Sequence, residues 1–268
     1  MQELIPQRGR SFVRSLERGL LVLQALAKES RPLTLSEIAR YAHTNNATAS
    51  RFCYTLSQLG FIQRDPHKCY HLTPRVLSLG YAAIRGLRWR EIAYFYLNAL
   101  SKEVGETVNL AVLDGYEIMY VVRIKTERLL PYDLQIGSKL PVHCTSMGKA
   151  LMAFVSPKRG RSILNRLDFR PLTHRTITGI EDYLKELEVV REKGYAINDE
   201  EQSVGVRSIA APVRDAEGCA IAAINIAVPT KRYSRQEVED NLAPQIVETA
   251  GLISKALAEM EWCGETSE

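Results

Sequence analysis

The apolar positions of the first quarter of the chain follow a helical period. Leu16, Leu20, Leu23 and Leu26/Ala27 lie on one face and predict an amphipathic helix, with Ser15 as its N-cap. Arg31-Pro32 breaks that helix. Thr34 and, three residues later, Glu37 form a capping box for a second short helix with apolar face Leu35, Ile38, Ala39 and Ala42. The polar turn His43-Thr44-Asn45-Asn46 leads into a third helix, 47–59, which ends at Gly60. Its expected buried face is Ala49, Phe52/Cys53, Leu56 and Leu59. Two strand-like runs, 61–64 and 69–72, then flank the turn Asp65-Pro66-His67-Lys68. Three helices, a tight turn between the second and third, and a hairpin are the winged helix-turn-helix order.

The pattern then changes. Residues 75–86 are helical in period, but Val76, Leu77, Leu79, Gly80, Ala83 and Ile84 cover more than one face. That predicts a linker helix packed against a partner, its symmetry mate. A further helix, 90–105, ends at Gly105, after which the period falls from about 3.6 to 2. Runs 108–113 and 117–124 form a hairpin around Asp114-Gly115. A third strand is expected near 129–137, a helix over 148–155, and helical stretches over 156–167 and 180–194. Strands 207–215 and 220–228 join through Ala216-Glu217-Gly218, and a helix from about 234 to 260 closes the chain. Mixed strands and helices predict an α/β (α+β) domain, a sheet covered by helices. The expected divisions are an arm (1–14), the winged helix-turn-helix (15–73), the linker helix (74–87), a larger sensing domain (88–262) and a tail (263–268).

Charge sharpens the picture of the first domain. Residues 1–73 hold 10 Lys/Arg and 5 Asp/Glu, whereas 74–268 hold 25 and 26, so the whole excess of positive charge lies in the first quarter. A compact basic domain on a neutral body points to a polyanion, here double-stranded DNA. The open face of the third helix carries Thr48, Ser50, Arg51, Tyr54, Thr55 and Gln58. These groups can donate and accept in a major groove, and Arg51 can reach guanine or a phosphate. A merely solvated face would carry Glu and Lys, and this one carries neither. Arg64 and Lys68 flank the hairpin turn, placed for backbone or minor-groove contact. Thr34, Ser36 and Asn46 complete the expected DNA-binding set.

Other classes lose ground on composition. No apolar run approaches the ~18 residues of a membrane span, and the first twelve residues lack the apolar core of a signal peptide; a cytoplasmic protein is expected. Cys53, Cys69, Cys144, Cys219 and Cys263 are scattered without a CxxC pair, which argues against a disulfide framework or a Cys-rich metal site. No metal and no cofactor are expected.

The segments 15–27, 32–42 and 45–65 together resemble the DNA-binding domain of the IclR family of bacterial regulators, and the resemblance continues to about Met260. One departure is Ala47-Thr48, where the family commonly has Ser-Thr at the start of the recognition helix. The resemblance implies that the larger domain is a GAF-like effector domain, and that the protein forms dimers that pair into tetramers.

The densest chemical signal of the larger domain is 136–154. Leu140-Pro141 halts the chain, and Thr145 or Ser146 can cap a helix starting near Met147-Gly148. A helix N-terminus offers free N–H groups and partial positive charge, which favour a carboxylate. A capped helix after a loop is the plain alternative. The resemblance places the backbone N–H groups of Ser146 and Met147 at the ligand carboxylate, and Asn198, Ser208, Asn225 and Ala227 in the pocket. Asn198 stands where carboxylate-binding members carry Asp, and Ser208 where they carry Cys. The run 136–154 is more similar to the branch that responds to protocatechuate and 4-hydroxybenzoate. Arg123, Tyr132 and His143 are further polar groups able to bind a phenol or a second carboxylate oxygen. Ile209, Ala210, Ala211, Ile224 and Ile226 are expected as apolar walls.

The expected protein is therefore a DNA-binding regulator controlled by a small carboxylate, an aromatic acid such as protocatechuate or 4-hydroxybenzoate. One alternative is a repressor of the same architecture responding to an aliphatic keto or dicarboxylic acid. A Cys-dependent enzyme is a remote alternative, since His143-Cys144 precedes a helix N-terminus. Adjacent strand residues point opposite ways, however, so His143 is poorly placed to serve Cys144.

Overall fold

The computed structural model describes residues 11–29, 31–86, 89–126 and 134–265. The chain divides into two compact units, Met1–Leu87 and Arg88–Glu268.

In the first unit, α1 (Arg14–Lys28), α2 (Leu35–Tyr41) and α3 (Asn46–Gln58) precede the hairpin β1 (Ile62–Arg64) and β2 (Tyr70–Leu72). Val22, Leu26, Leu33, Ile38, Ala49, Cys53 and Ile62 form its core. Helix α1 begins one residue before the expected cap: Val13 is the N-cap and Ser15 lies inside the helix, because the extended Val13 carbonyl already accepts from Leu16 and Glu17. The capping box of α2 is present, with Thr34 N 2.8 Å from Glu37 Oε2. Leu59, expected in the core, is exposed, since α3 ends at Gln58 and Leu59 follows as its C-cap. Gly60, at φ +75°, then turns the chain into β1. Helix α4 (Arg75–Gly86) leaves Leu77, Leu79 and Tyr81 exposed in the single chain.

In the second unit, α5 (Trp89–Val104) leads to β3 (Thr107–Asp114) and β4 (Glu117–Ile124). Then come β5 (Lys139–Pro141), α6 (Ser146–Phe154), α7 (Pro157–Leu164) and α8 (Ile180–Lys193). Strands β6 (Ala196–Asp199), β7 (Val206–Arg214) and β8 (Ala220–Pro229) follow. The six strands form one antiparallel sheet in the order β5-β4-β3-β8-β7-β6. Alternate residues of the central strands face opposite sides. Ala111, Ala210 and Ala223 pack with Met147, Leu151 and the α8 residues Tyr183 and Leu187. Leu110, Ile209, Ile224 and Ile226 are buried on the other side, and their place in the alternation sets them toward α5 and the C-terminal helix of residues 243–265.

Two sequence expectations shift here. The third strand is β5 rather than 129–137: Leu134–Gly137 is not a strand, and 127–133 lies outside the described residues. The closing helix runs unbroken from Arg235 to Glu265 but is not regular. It comprises α9 (Arg235–Glu237), a π-helical turn (Val238–Leu242) and α10 (Ala243–Glu265). Pro244 has no N–H for a regular helical bond, and Ala243 N donates five residues back to Val238 O. Among the described residues, no helix is long and apolar enough to cross a membrane.

Candidate functional site

The first unit presents α3 as an accessible polar helix. Asn45 caps it, its Oδ1 accepting from Thr48 N at 2.8 Å. Ser50, Arg51, Tyr54 and Thr55 are exposed, Tyr54 at 67%. Thr55 donates to Arg51 O at 3.0 Å, which leaves its hydroxyl oxygen as an acceptor. Thr34 is exposed, but its hydroxyl is committed to the α2 capping box. Ser36 and Asn46 lie 3.4 Å apart and bond each other across the turn. Arg64 is exposed and stacks over Tyr70, 5.5 Å from the ring centroid. Lys68 sits at the hairpin tip with φ +65°, held by Lys68 N donating to Asp65 O.

The second unit holds a narrow cleft between the N-terminus of α6 and the sheet. Thr145, not Ser146, caps α6: its Oγ1 accepts from Gly148 N at 3.2 Å. Ser146 and Met147 are thus the first two helical residues, and neither N–H has an intrahelical acceptor. Gly148 is needed for close approach of the protein's own backbone, since a Cβ there would overlap Val142. Across the cleft, Ser146 Oγ lies 2.7 Å from Ser208 Oγ.

The cleft brings together Ser146, Met147, Asn198, Ser208, Asn225, Ala227 and Arg123 from the sequence-based set. It does not include His143. That ring is buried, its Nε2 lies 3.1 Å from Arg170 O, and it stacks edge-on with Phe169. Burial lowers the His143 pKa, which keeps the imidazole neutral. Tyr132 lies outside the described residues. The expected walls Ile209, Ala211, Ile224 and Ile226 fall on the opposite side of the sheet by strand alternation. Leu134, Leu140, Met147 and Tyr120 supply the apolar surface instead. Sequence reasoning missed Asn109, Tyr120 and Gln202, and named Thr145 only as a helix cap. Asn109 did leave a signal, as a lone amide in the apolar run 108–113.

Two polar networks support the cleft. Asn109 Nδ2 donates to Asn225 Oδ1 at 2.8 Å, and Arg123 Nη1 donates to Asn109 Oδ1 at 3.1 Å. Asn198 Oδ1 accepts from Glu201 N at 2.8 Å, and Glu201 Oε1 accepts from the buried Lys149 Nζ at 2.5 Å. Cys144 is buried too. Burial, reinforced by the charge of Glu201, pushes its thiol up to about 12, so almost no thiolate forms at neutral pH.

Residues 15–66 match the IclR helix-turn-helix domain, and residues 81–255 match the C-terminal domain of the bacterial transcriptional regulator IclR. The chain is 37% identical over 234 residues to the Pca regulon regulatory protein of Pseudomonas putida, covering 87% of this chain and 80% of that one. It is 30% identical over 248 residues to the p-hydroxybenzoate hydroxylase transcriptional activator of Acinetobacter baylyi, covering 91% of each. Among solved structures, a Rhodococcus transcriptional regulator superposes with a TM-score of 0.78 at 38% identity, over 93% of this chain and 100% of that one. An IclR homolog from Microbacterium hydrocarbonoxydans, complexed with 4-hydroxybenzoate, superposes with a TM-score of 0.74 at 25% identity, over 90% and 99%.

Proposed function

The chain belongs to the IclR family and is a DNA-binding transcription regulator; from that premise we propose that a small aromatic carboxylate, such as protocatechuate or 4-hydroxybenzoate, is its effector. The observation that carries this reading is the cleft at the head of α6. It offers two helix N–H groups and a positive dipole end at one wall, and Asn198, Ser208 and Asn225, with the guanidinium of Arg123 behind them, at the other. Relatives named for the Pca regulon and for p-hydroxybenzoate hydroxylase, and the structure holding 4-hydroxybenzoate, support it. The effector carboxylate sits on Ser146 N and Met147 N. The ring lies against Met147, Leu140 and Tyr120.

In this reading Thr48, Ser50, Arg51, Tyr54 and Thr55 contact the operator, and Arg64 and Lys68 hold its backbone. The protein is at least a homodimer. One recognition helix reads too few base pairs for useful specificity, and Leu77, Leu79 and Tyr81 of α4 are 73%, 57% and 64% exposed in the single chain. The protein acts by binding rather than by turnover.

Calorimetric titration with protocatechuate, 4-hydroxybenzoate, pyruvate, glyoxylate and succinate tests the effector. Saturable binding of the aromatic acids is expected. Binding of the aliphatic acids alone would overturn the aromatic reading and leave the regulator intact.

A further inference from the structure

We propose that Arg123, Asn109 and Asn225 make one end of the cleft a pure hydrogen-bond donor, which selects effectors bearing a second oxygen acceptor opposite the carboxylate. The proposal rests on the aromatic-acid reading and deepens it.

The three side chains share one row of the sheet. Asn109 on β3 is in register with Arg123 on β4 and with Asn225 on β8. A guanidinium has donors and no acceptor. Arg123 Nη1, 3.1 Å from the Asn109 amide, therefore requires that amide to present its oxygen. The Asn109 Nδ2 is then turned to Asn225, and Asn225 must present its own oxygen in return, at 2.8 Å. Amide orientation is usually open to either assignment; here a fixed cation sets it for both residues in turn. The Asn225 group left for the cleft is its Nδ2, and the Asn225 side chain makes no other hydrogen bond among the described residues. Arg123 Nε is buried and has no partner among them either. Asn109 and Asn225 are 1% and 4% exposed, so an effector atom that displaces solvent from this donor without accepting from it loses affinity.

The spacing suits an aromatic ring. Ser208, beside the head of α6, pairs with Ala227, two residues along β8 from Asn225. Diagonal neighbours of this kind stand about 7–8 Å apart. A carboxylate at α6 and a para oxygen at the Asn225 row thus occupy the two ends of one ring. Asn109 is a positioning residue here: it acts by holding the Asn225 amide one way round.

The test is calorimetry on the full chain with benzoate, 4-hydroxybenzoate and 4-aminobenzoate. The para hydroxyl both accepts and donates, whereas the para amine chiefly donates, so only the hydroxyl can satisfy a donor there. The wild type is expected to hold 4-hydroxybenzoate about 10-fold more tightly than either other acid. In Asn109→Asp, the new carboxylate accepts from both Arg123 and Asn225. The Asn225 amide then turns its oxygen to the cleft, and the preference should swing by about 10-fold toward 4-aminobenzoate. Asn225→Asp puts an acceptor there directly and should swing it the same way, which covers a failure of the first variant to fold. Equal affinities in the wild type, or a uniform loss of all three acids in the variants, would overturn the proposal. Failure of every aromatic acid to bind would instead overturn the effector reading, and this one with it.

Discussion

Lys149 Nζ lies 2.5 Å from Glu201 Oε1, and this buried pair ties the helix that heads the cleft to the loop that follows Asn198. Lys149 also donates to Ile197 O at 2.8 Å and to Glu186 at 3.0 Å, so its three protons are all used. Burial raises the Glu201 carboxyl above its ordinary range, against the pull of Lys149. Lys149→Met strands that carboxylate and is expected to cost about 3–5 kcal/mol. Adding Glu201→Gln should recover most of the loss. A carboxyl raised in the folded state binds more protons there than in the unfolded chain. Its stability contribution therefore falls as pH rises above the unfolded value of 4.5. The deficit of Lys149→Met should accordingly shrink in acid and grow toward neutral pH. Urea denaturation across that range measures it, and a pH-independent deficit would count against the buried-charge account.

Lys68 occupies a left-handed position, φ +65°, at the hairpin tip. Alanine there would mix backbone strain with charge loss. Lys68→Gly removes the charge and keeps the turn. If Lys68 holds a phosphate, the variant should weaken binding to all sequences alike and lower the salt slope by about one. An unchanged slope in a salt titration would remove Lys68 from the DNA contacts.

Arg51 is exposed on α3 and outside the core of the first unit. Arg51→Ala is expected to leave the melting temperature unchanged and to cost about 1–3 kcal/mol of operator binding, with relaxed specificity at one base pair. Affinity selection from a random DNA library gives the operator and reads both effects. Loss that is equal on operator and random DNA would make Arg51 a phosphate contact instead.

The Arg31 hydrogen bond, with the Thr34 backbone and hydroxyl, lowers the Glu37 carboxyl from 4.5 to about 2. A depressed carboxyl stabilises above its unfolded pKa and loses that contribution as pH falls toward its folded one. Glu37→Gln should therefore flatten the acid side of the stability profile between about pH 4.5 and 2. Circular dichroism melts at graded pH test this. A profile as steep as the wild type's would show that other carboxylates dominate.

Local signals were legible where local chemistry decides structure. Thr34 and Glu37 announced their capping box, and Gly60 and Gly194 closed helices at positive φ. The head of α6 was legible too, although Thr145 and Ser146 were equally able to cap it and only the Gly148 N bond separates them. What the sequence hides is which side of a strand faces what. Ile209 and Ala210 read alike as apolar, yet alternation puts only Ala210 beside α6. Asn109 gives no sign of its role in an apolar run, because its partners Arg123 and Asn225 are brought to it only by strand pairing. His143 stood close to the cleft residues in sequence, but its ring turns to Arg170.

The central claim, that an aromatic acid at the head of α6 governs DNA binding, is tested most directly through Ser146→Pro. Proline is tolerated at the first helical position, and the extended Thr145 before it, at φ −121° and ψ 142°, is compatible with a following proline. The variant removes an anchoring N–H while keeping the helix. Fluorescence anisotropy on the selected operator, with and without saturating 4-hydroxybenzoate, is the measurement. The wild type is expected to change its operator affinity by about 5-fold or more on adding the acid. Ser146→Pro should bind the bare operator normally and show no response. An unresponsive wild type, or a variant that responds as the wild type does, would contradict the account.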